Sequence, residues 1–394
     1  MTIIKSCHHN LIIIQKRFVM KNIKIVILLL LFYSCGNSNS VSRKGSEMKL
    51  VDLDQISTPS VYDVFSKIEI IPLESSSESL LKQVTGIVKY NKFFYILDRE
   101  LNYILVYDSI GQCVNKINKM GNGPGEYAKI VDIQFNRFTG ELELLSPMKG
   151  ILKYDSMGKN YKGCVDMPRT VLAIHNFYPI SPDKYVFFSD SREGNKMIFY
   201  DAKYEKITSE AYNLPRFLFS NTLFHHTYTP FYLYNDTVRF VQSYNGDVFS
   251  LNHGLLAPTY QWDFGKYNFD ISDLKEESIP YYMKYARTVM SKNASLFICY
   301  GENSHYYLSQ FVFKRRTCHL LLNKKDNSYI VFNAFKEGVT CLPRIMDDIA
   351  VYAVVSPDDI SLAVNPKVLD EENKRKYEAI TLDDNPVIIK YTFK

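Results

Sequence analysis

Short segments in which apolar and polar residues alternate recur from residue 84 to the C-terminus, and turn residues separate them. The first group contains VTGIVKY, KFFYILD, NYILVYD and QCVNKIN, which occupy 84–90, 92–98, 102–108 and 112–118. Alternation with a period of two, bounded by Asn, Asp, Ser and Gly, predicts half-buried β-strands joined by turns. The group therefore predicts one unit of four strands.

A Tyr-Asp pair at the end of the third predicted strand marks a repeat. The pairs begin at Tyr107, Tyr154 and Tyr200, 47 and 46 residues apart, and a degenerate fourth copy covers 246–262. A period of roughly 40–50 residues built from short strands is typical of β-propeller blades. Because Asp can accept a hydrogen bond from the following turn, each pair is predicted to be a hairpin corner and not a catalytic site.

The repeat predicts an all-β fold, a six-bladed β-propeller of four-stranded blades. Five blades are predicted at about 84–118, 129–166, 171–212, 223–263 and 294–334. The last blade is predicted to be closed by N- and C-terminal strands, with 67–72 beside 387–393, because this pairing leaves no open sheet edge.

Two short helical insertions interrupt the predicted strands. The first, within 269–294, has helical spacing after Ser272, which is predicted to be its N-cap. The second, within 356–380, is predicted to form two short helical pieces that break at Asn365-Pro366. The charged residues of both insertions are predicted to be solvated helix faces.

The first 35 residues have the pattern of an export signal. Two lysines precede an apolar run at 25–32, which is shorter than the ~20 apolar residues of a spanning helix. The cysteine that ends the segment resembles the lipobox of bacterial lipoproteins, and this resemblance implies that Cys35 is acylated. An ordinary cleaved signal and an uncleaved anchor are the alternatives. Because the complete signal begins at Met20, residues 1–19 are predicted to be a start-site artefact.

The remaining chain is predicted to consist of a flexible tether at 36–50 and the propeller at 51–394. We expect a lipid anchor in the outer membrane, with the periplasmic side favoured over the cell surface because no acidic cluster follows Cys35. Without the first 35 residues the chain has 42 basic and 42 acidic residues. This balance gives no reason to expect a nucleic-acid partner. A monomer is expected.

Five cysteines remain besides Cys35, and none of them belongs to a C-x-x-C pair. Their spacing argues against zinc and thioredoxin-type chemistry. They are predicted to be buried thiols that pack as small hydrophobic groups. A single disulfide between Cys299 and Cys318, across a hairpin, is the alternative.

A glycine-rich stretch, KMGNGPGEY at 119–127, invites comparison with phosphate-binding loops. Such loops need a helix after them, whereas the residues that follow here alternate as in a strand. The stretch is therefore predicted to be a structural connection between blades. Its defining residues are Gly121, Gly123, Pro124, Gly125 and Glu126.

Three motifs together resemble the six-bladed, NHL- and TolB-like β-propeller lipoproteins of Gram-negative gut anaerobes. They are IPLE at 71–74, GNGPGEY at 121–127 and NPV at 385–387, and the resemblance spans about 52–394. The resemblance implies the propeller fold. It provides no set of catalytic residues that could be assigned to this sequence. The third to fifth predicted blades depart from the pattern because they contain no glycine-rich copy.

Candidate chemistry is sparse. The sequence contains no H-E-x-x-H, G-x-S-x-G, Walker or EF-hand motif, so no catalytic residue and no cofactor are predicted, and a metal is left open. Tyr127, His225, His226 and Tyr228 are candidates for ligand contacts at the mouth of a central channel, where aromatic rings would suit a sugar or a peptide. The adjacent histidines would point to opposite faces of a strand, which argues against a shared metal.

The sequence is compatible with three functions. The first is a membrane-anchored, non-catalytic module that binds a protein or glycan partner in the cell envelope. The second is a lyase or hydrolase on carbohydrate or lactone, with a metal at the central channel. The third is a structural or sensory subunit of an envelope complex, which a large exposed apolar patch would favour.

Overall fold

The computed structural model describes residues 47–394 with the exception of Met148, 168–173, 190–193, 215–229, Gln242, Asn245, His253 and Asp273. In this part of the chain the strands form six sheets, which are the blades of a propeller. No helix among the described residues is long and apolar enough to cross a membrane.

The first three blades follow one another along the chain. The first contains β3 (Gly86–Tyr90), β4 (Phe93–Asp98), β5 (Tyr103–Tyr107) and β6 (Cys113–Ile117). The second contains β7 (Asp132–Asn136), β8 (Glu141–Ser146), β9 (Gly150–Tyr154) and β10 (Tyr161–Val165). The third contains β11 (Asn176–Ser181), β12 (Lys184–Phe188), β13 (Asn195–Asp201) and β14 (Lys206–Asn213).

The other three blades include both ends of the described chain. The fourth contains β15 (Phe231–Tyr234), β16 (Thr237–Val241), β17 (Val248–Asn252), β18 (Leu255–Asp263) and the added β1 (Glu47–Leu50). The fifth contains β19 (Ser295–Glu302), β20 (Tyr306–Phe313), β21 (Arg316–Asn323) and β22 (Tyr329–Phe332). The sixth contains β23 (Pro343–Met346), β24 (Ala350–Val355), β25 (Val387–Phe393) and β2 (Phe65–Pro72). The predicted six-bladed propeller is confirmed.

The first strand of each blade lies at the centre of the ring. Contacts between β3 and β7, β7 and β11, and β23 and β3 join neighbouring blades there. From its inner strand outwards each blade is an antiparallel meander, to which β1 is added in the fourth blade and β2 in the sixth, and the six inner strands run in the same direction. We call the end of the channel where they begin the start end, and the opposite end the finish end.

The sixth blade is closed by the two ends of the propeller sequence, as predicted. Strand β2 is the outermost strand and pairs antiparallel with β25, in a register that joins Phe65 to Phe393 and Pro72 to Val387. Residues of β2 and β25 share one hydrophobic cluster with the fifth and sixth blades. The closure therefore ties the ring together by backbone hydrogen bonds and by apolar packing.

Strand β1 was not predicted. It adds a fifth, parallel strand to the outer edge of the fourth blade, with Glu47 opposite Tyr260 and Leu50 opposite Asp263. Residues 47–50 lie in the segment that the sequence predicts to be a flexible tether. The outer strand β18 offers unpaired backbone groups, and these hold the segment although its Met48 and Leu50 side chains are exposed.

The described residues include four short α-helices: α1 (Val61–Val64), α2 (Ile279–Thr288), α3 (Ile360–Ala363) and α4 (Glu371–Glu378). Helix α2 begins after Ser278, so the predicted N-cap at Ser272 is wrong. A proline in the first turn, where its missing N–H costs nothing, favours the later start. The break at Asn365 is confirmed, because its side chain caps a 3₁₀ turn that separates α3 from α4.

The Tyr-Asp pairs are hairpin corners, as predicted. The Asp108 carboxylate accepts the N–H groups of Ile110 and Gln112, at 3.0 and 2.9 Å. The Asp155 carboxylate accepts those of Lys159 and Asn160 in the same way. Tyr107 and Tyr154 end the third strands of their blades, whereas β13 continues through Asp201. All three tyrosines are buried in clusters that two blades share.

The described cysteine side chains are free thiols: Cys318 and Cys341 are buried, Cys113 is half-buried and Cys164 is exposed. The alternative of a Cys299–Cys318 disulfide is wrong. Strand β20 lies between the strands of the two cysteines: in the backbone register Cys318 pairs with Phe311 and Cys299 with Ser309. A disulfide cannot span an intervening strand.

A buried carboxylate in the second blade gives stability a pH dependence. Glu143 is fully buried, and its Oε1 accepts hydrogen bonds from Asn136 and from the Tyr185 hydroxyl at 3.0 and 2.9 Å. Its Oε2 has no hydrogen-bond partner, and Lys153 Nζ lies 3.8 Å from Oε1. Burial outweighs these contacts and raises the pKa of Glu143 from 4.5 to about 7.

The free energy of unfolding of the wild type should fall as the pH rises from 5 to 8. We expect this fall to be smaller in Glu143→Gln. The unfolded chain releases this proton near pH 4.5 and the folded chain near pH 7, so the free energy of unfolding falls across that window. The loss attributable to Glu143 is on the order of 3 kcal/mol. Urea unfolding at both pH values measures it. The exposed Glu378→Gln serves as the control, and equal pH dependence in both variants would contradict the assignment.

Candidate binding site in the central channel

A cavity of about 390 Å³ lies on the axis of the propeller, and all six inner strands contribute to its lining. The charged side chains in the lining are Lys89, Arg99, Asp132, Glu302, Arg344 and Asp347. Aromatic residues of the third and fourth blades, Tyr178, Phe231 and Tyr232, also line it. A concave site in which a few polar groups converge is the usual form of a ligand pocket.

The start end of the channel carries two arginines and one carboxylate. Asp132 is the first residue of β7, and Arg344 is the second residue of β23. Arg99 follows β4 and reaches the same end, since its backbone N–H donates to Thr85 Oγ1 just before β3 at 3.1 Å. The Arg99 Nε atom is buried and has no hydrogen-bond partner among the described residues.

Asp132 is held by backbone and amide groups. Its Oδ2 accepts the N–H of Phe177 at 3.1 Å and lies 3.5 Å from Asn176 Nδ2. Burial raises the pKa of Asp132 to about 7, although these hydrogen bonds and the positive charge of Arg99 act in the opposite direction. A buried carboxyl group with such a pKa is a candidate functional group.

The finish end contains a carboxylate that is saturated with donors. Glu302 is the last residue of β19 and its side chain is fully buried. It lies 3.2 Å from Arg239 Nε and 2.5 Å from Lys324 Nζ. The hydroxyl groups of Tyr232 and Tyr260 donate to it at 3.1 and 3.0 Å. This network joins the fourth and fifth blades.

A second ion pair joins the first and sixth blades at the finish end. Lys89 Nζ lies 2.6 Å from Asp347 Oδ2, to which the Tyr352 hydroxyl also donates at 2.8 Å. Backbone N–H groups of Ile349 and Ala350 donate to the other oxygen. Although burial opposes it, these contacts hold the pKa of Asp347 below its usual value. The finish end is therefore stabilised by paired charges.

The glycine-rich loop forms a closed structure of its own. The Gly121 N–H donates to the Tyr127 carbonyl at 3.1 Å, and the Tyr127 N–H donates to that of Lys119 at 2.9 Å. The Glu126 carboxylate folds back and accepts the Gly123 N–H at 2.7 Å. An acid thus occupies the place that a bound anion would need. Strand β7 follows the loop, so the prediction of a connection between blades is confirmed.

The structure places Tyr127 in the core and not among the residues that line the channel. Its side chain is fully buried, and its hydroxyl donates to the Ile117 carbonyl at 3.3 Å. Burial raises the pKa of Tyr127 to about 12. This position differs from the predicted channel mouth because the loop packs its aromatic residue between the first and second blades.

The other predicted ligand contacts, His225, His226 and Tyr228, lie outside the described residues, as does the predicted lipidation site Cys35. The described residues contain no group of three His, Cys, Asp or Glu side chains that could hold a metal ion. Sequence reasoning missed the charged residues of the channel. The available signal was a charged residue at the end of an inner strand, as at Asp132 and Glu302.

Gly125 is the position in the glycine loop at which substitution should cost most. Its φ is +72°, and an added Cβ would lie 2.6 Å from Cγ of Tyr161. We expect Gly125→Ala to lower the free energy of unfolding by roughly 2–4 kcal/mol, from the left-handed backbone and from overpacking. Denaturant unfolding measures this loss.

Gly338→Ala is the matched control for this variant. Gly338 has φ +77° but no atom within 4 Å of the added Cβ, so it should lose only about 1–2 kcal/mol. Equal losses in the two variants would contradict the close contact with Tyr161.

The fold and the axial cavity define a six-bladed β-propeller with a candidate ligand site in its channel. A family model described as "Domain of unknown function (DUF4934)" matches residues 49–392, and the chain belongs to this family. Comparison with curated proteins gives no match.

Comparison with solved structures finds two crystal structures that match most of the chain. One is a Bacteroides fragilis protein whose name describes it as exported, with 14% identity, a TM-score of 0.65, and coverage of 88% of this chain and 99% of the other. The second is a member of the DUF4221 family from Bacteroides vulgatus, with 11% identity, a TM-score of 0.49, and coverage of 84% and 97%. At 14% identity the likeness to the Bacteroides fragilis protein shows the fold alone.

Proposed function

We propose that the protein is an exported, membrane-anchored and non-catalytic module that binds a glycan or protein partner of the cell envelope through its central channel. The observation that carries the proposal is the axial cavity, to which all six blades contribute polar or aromatic residues. Its size is near the lower end of the ~300–1,000 Å³ of ligand pockets. The export signal in the sequence and the similar fold of a protein named as exported support the location.

The charge arrangement favours binding over catalysis. Glu302 and Asp347 are engaged by cations and by hydroxyl or backbone donors, so neither is placed to exchange a proton with a substrate. These contacts fix the shape of the channel. A rigid, preformed site loses little conformational entropy when a ligand binds.

A binding screen with recovery of the ligand tests the proposal. The purified protein is titrated calorimetrically with neutral and acidic mono- and oligosaccharides and with short peptides. Each ligand that binds is incubated with the protein and then analysed by mass spectrometry. Saturable binding with complete recovery supports the module, whereas conversion of the ligand contradicts it.

The second candidate function is an enzyme that acts on carbohydrate or lactone. The position of Asp132 in the cavity, together with its raised pKa, favours it. A carboxyl group with a pKa of about 7 in a cavity could act as a general acid or base. Asp132→Asn would then abolish turnover, whereas the exposed Asp348→Asn would not. Under the binding proposal neither variant has turnover to lose.

The proposed lipid anchor has its own test. Cells that express the full chain are labelled with a fatty acid, and the chain is examined for incorporation in the wild type and in Cys35→Ser. Label that depends on Cys35 supports the anchor. An unlabelled, soluble chain contradicts it.

A further inference from the structure

We propose that the channel ligand is a neutral sugar whose hydroxyl groups bond the side chains of Gln134 and Tyr178. This inference rests on the proposed binding function and adds the chemical class of the ligand. It follows from two polar side chains of the cavity that form no hydrogen bond with the residues that the structure describes.

Gln134 is the middle residue of the inner strand β7, where it is only 6% exposed and lines the cavity. Its neighbours on the same face of the strand are both bonded to the protein. Asp132 accepts the N–H of Phe177 at 3.1 Å, and Asn136 donates to Glu143 at 3.0 Å. The Gln134 amide forms no hydrogen bond with any described residue. Because an unbonded amide in a buried position is costly, a ligand that bonds it gains binding free energy.

The hydroxyl group of Tyr178 is the second such group. Tyr178 lies on β11, the inner strand next to β7, and lines the same cavity. Its ring packs edge to face against Phe231, with ring centroids 6.3 Å apart, whereas its hydroxyl forms no hydrogen bond within the described part of the chain. Burial raises the pKa of Tyr178 to about 12, so the hydroxyl keeps its proton and can both donate and accept.

The two groups together match the hydroxyls of a sugar. An amide offers two donors and an acceptor, a phenol offers one donor and its lone pairs, and each sugar hydroxyl can bond either. Inner strands of the fifth and sixth blades also contribute apolar residues to the lining, Ile298 and Ile345. A sugar ring carries hydroxyls at its edge and C–H groups on its faces, so it can meet both kinds of lining. A cavity of about 390 Å³ favours one small ring over a peptide segment.

The charged side chains of the cavity favour a neutral ligand. Lys89 pairs with Asp347 at 2.6 Å, and Glu302 pairs with two cations at 2.5 and 3.2 Å. Arg99 acts on Asp132 through its charge. A charged ligand would compete with these contacts, and separating buried opposite charges is costly. A neutral sugar leaves them intact.

Calorimetric titration with glucose, galactose, mannose and N-acetylglucosamine tests the inference, with glucuronate and glycylglycine as comparisons at constant ionic strength. We expect saturable binding of at least one neutral sugar, tenfold or more tighter than that of glucuronate or of the dipeptide. Gln134→Met and Tyr178→Phe each remove the polar group and keep the shape of the side chain. Each should weaken binding of that sugar roughly three- to tenfold.

Unfolding of the same two variants distinguishes a ligand contact from a structural one. Because neither polar group is bonded within the described chain, its replacement by an apolar group should leave the unfolding midpoint unchanged or raise it. Gln112→Met and Tyr204→Phe, at exposed hairpin positions outside the cavity, are the matched controls and should change neither binding nor stability. A lower midpoint in both channel variants would contradict the inference, since it would mean that the two groups stabilise the fold.

The outcomes separate this inference from the proposed function. Glucuronate that binds as tightly as the neutral sugars would overturn the neutral class. Sugar binding that survives both channel variants would overturn the site. If no neutral sugar binds, the inference is wrong, and a peptide or an acidic glycan that binds and is recovered intact would still support the proposed function.

Discussion

A chain that begins at residue 73 is expected to lose its cooperative unfolding transition. This truncation removes β2 and α1, which bury Val61, Val64, Phe65, Ile68 and Ile70 in the cluster of the closing blade. Each such side chain contributes about 1.5–3 kcal/mol, so the loss is on the order of 10 kcal/mol, which is comparable to the whole stability of a typical domain. Denaturant unfolding followed by circular dichroism measures the effect.

A chain that begins at residue 51 is the matched control. It lacks only the leader, the tether and β1, whose Met48 and Leu50 side chains are exposed. It retains Val51 and Leu53, which are buried against the fifth blade. We expect its unfolding midpoint to stay close to that of the full domain. If the shorter chain unfolded with the same midpoint, β2 would not close the ring.

The second large effect is expected from Glu302→Gln. The amide keeps the shape of the side chain and removes its charge, which leaves Arg239 and Lys324 without their carboxylate in a site where each is only 13% exposed. Breaking a buried ion pair in this way costs roughly 3–5 kcal/mol. Urea unfolding at neutral pH measures the loss.

Glu69→Gln provides the control for charge removal. Glu69 also contacts two lysines, Lys67 and Lys390, but its side chain is 28% exposed. An exposed pair contributes about 0–1 kcal/mol. Lys324→Met should restore part of the stability of Glu302→Gln, because it removes the charge left unpaired. Similar losses in Glu302→Gln and Glu69→Gln would mean that solvent screens the Glu302 network.

Most of the fold could be predicted from two periodic patterns in the sequence. Alternating strands and the 46–47-residue period placed the blades, and the hydrophobic strand before Leu73 matched the terminal strand at Val387. These signals are local or involve two complementary segments, so a sequence can display them. Strand β1 was not predicted because four residues are too short to show a pattern, and its partner β18 lies some 200 residues away.

The candidate site was harder to predict because its residues come from different blades. Arg99, Asp132 and Arg344 are far apart in the sequence and meet only when the ring closes. Their spacing therefore follows no motif. The glycine loop shows the reverse case, since a conspicuous motif serves a structural role and its Glu126 folds onto Gly123.

The central claim is that the channel is the binding site, and a crystal structure of the protein with the tightest ligand of the binding screen tests it most directly. The account predicts electron density on the propeller axis, inside the cavity that the six inner strands line. Density on an outer blade edge or on the face of a helical insertion, with an empty channel, would contradict it.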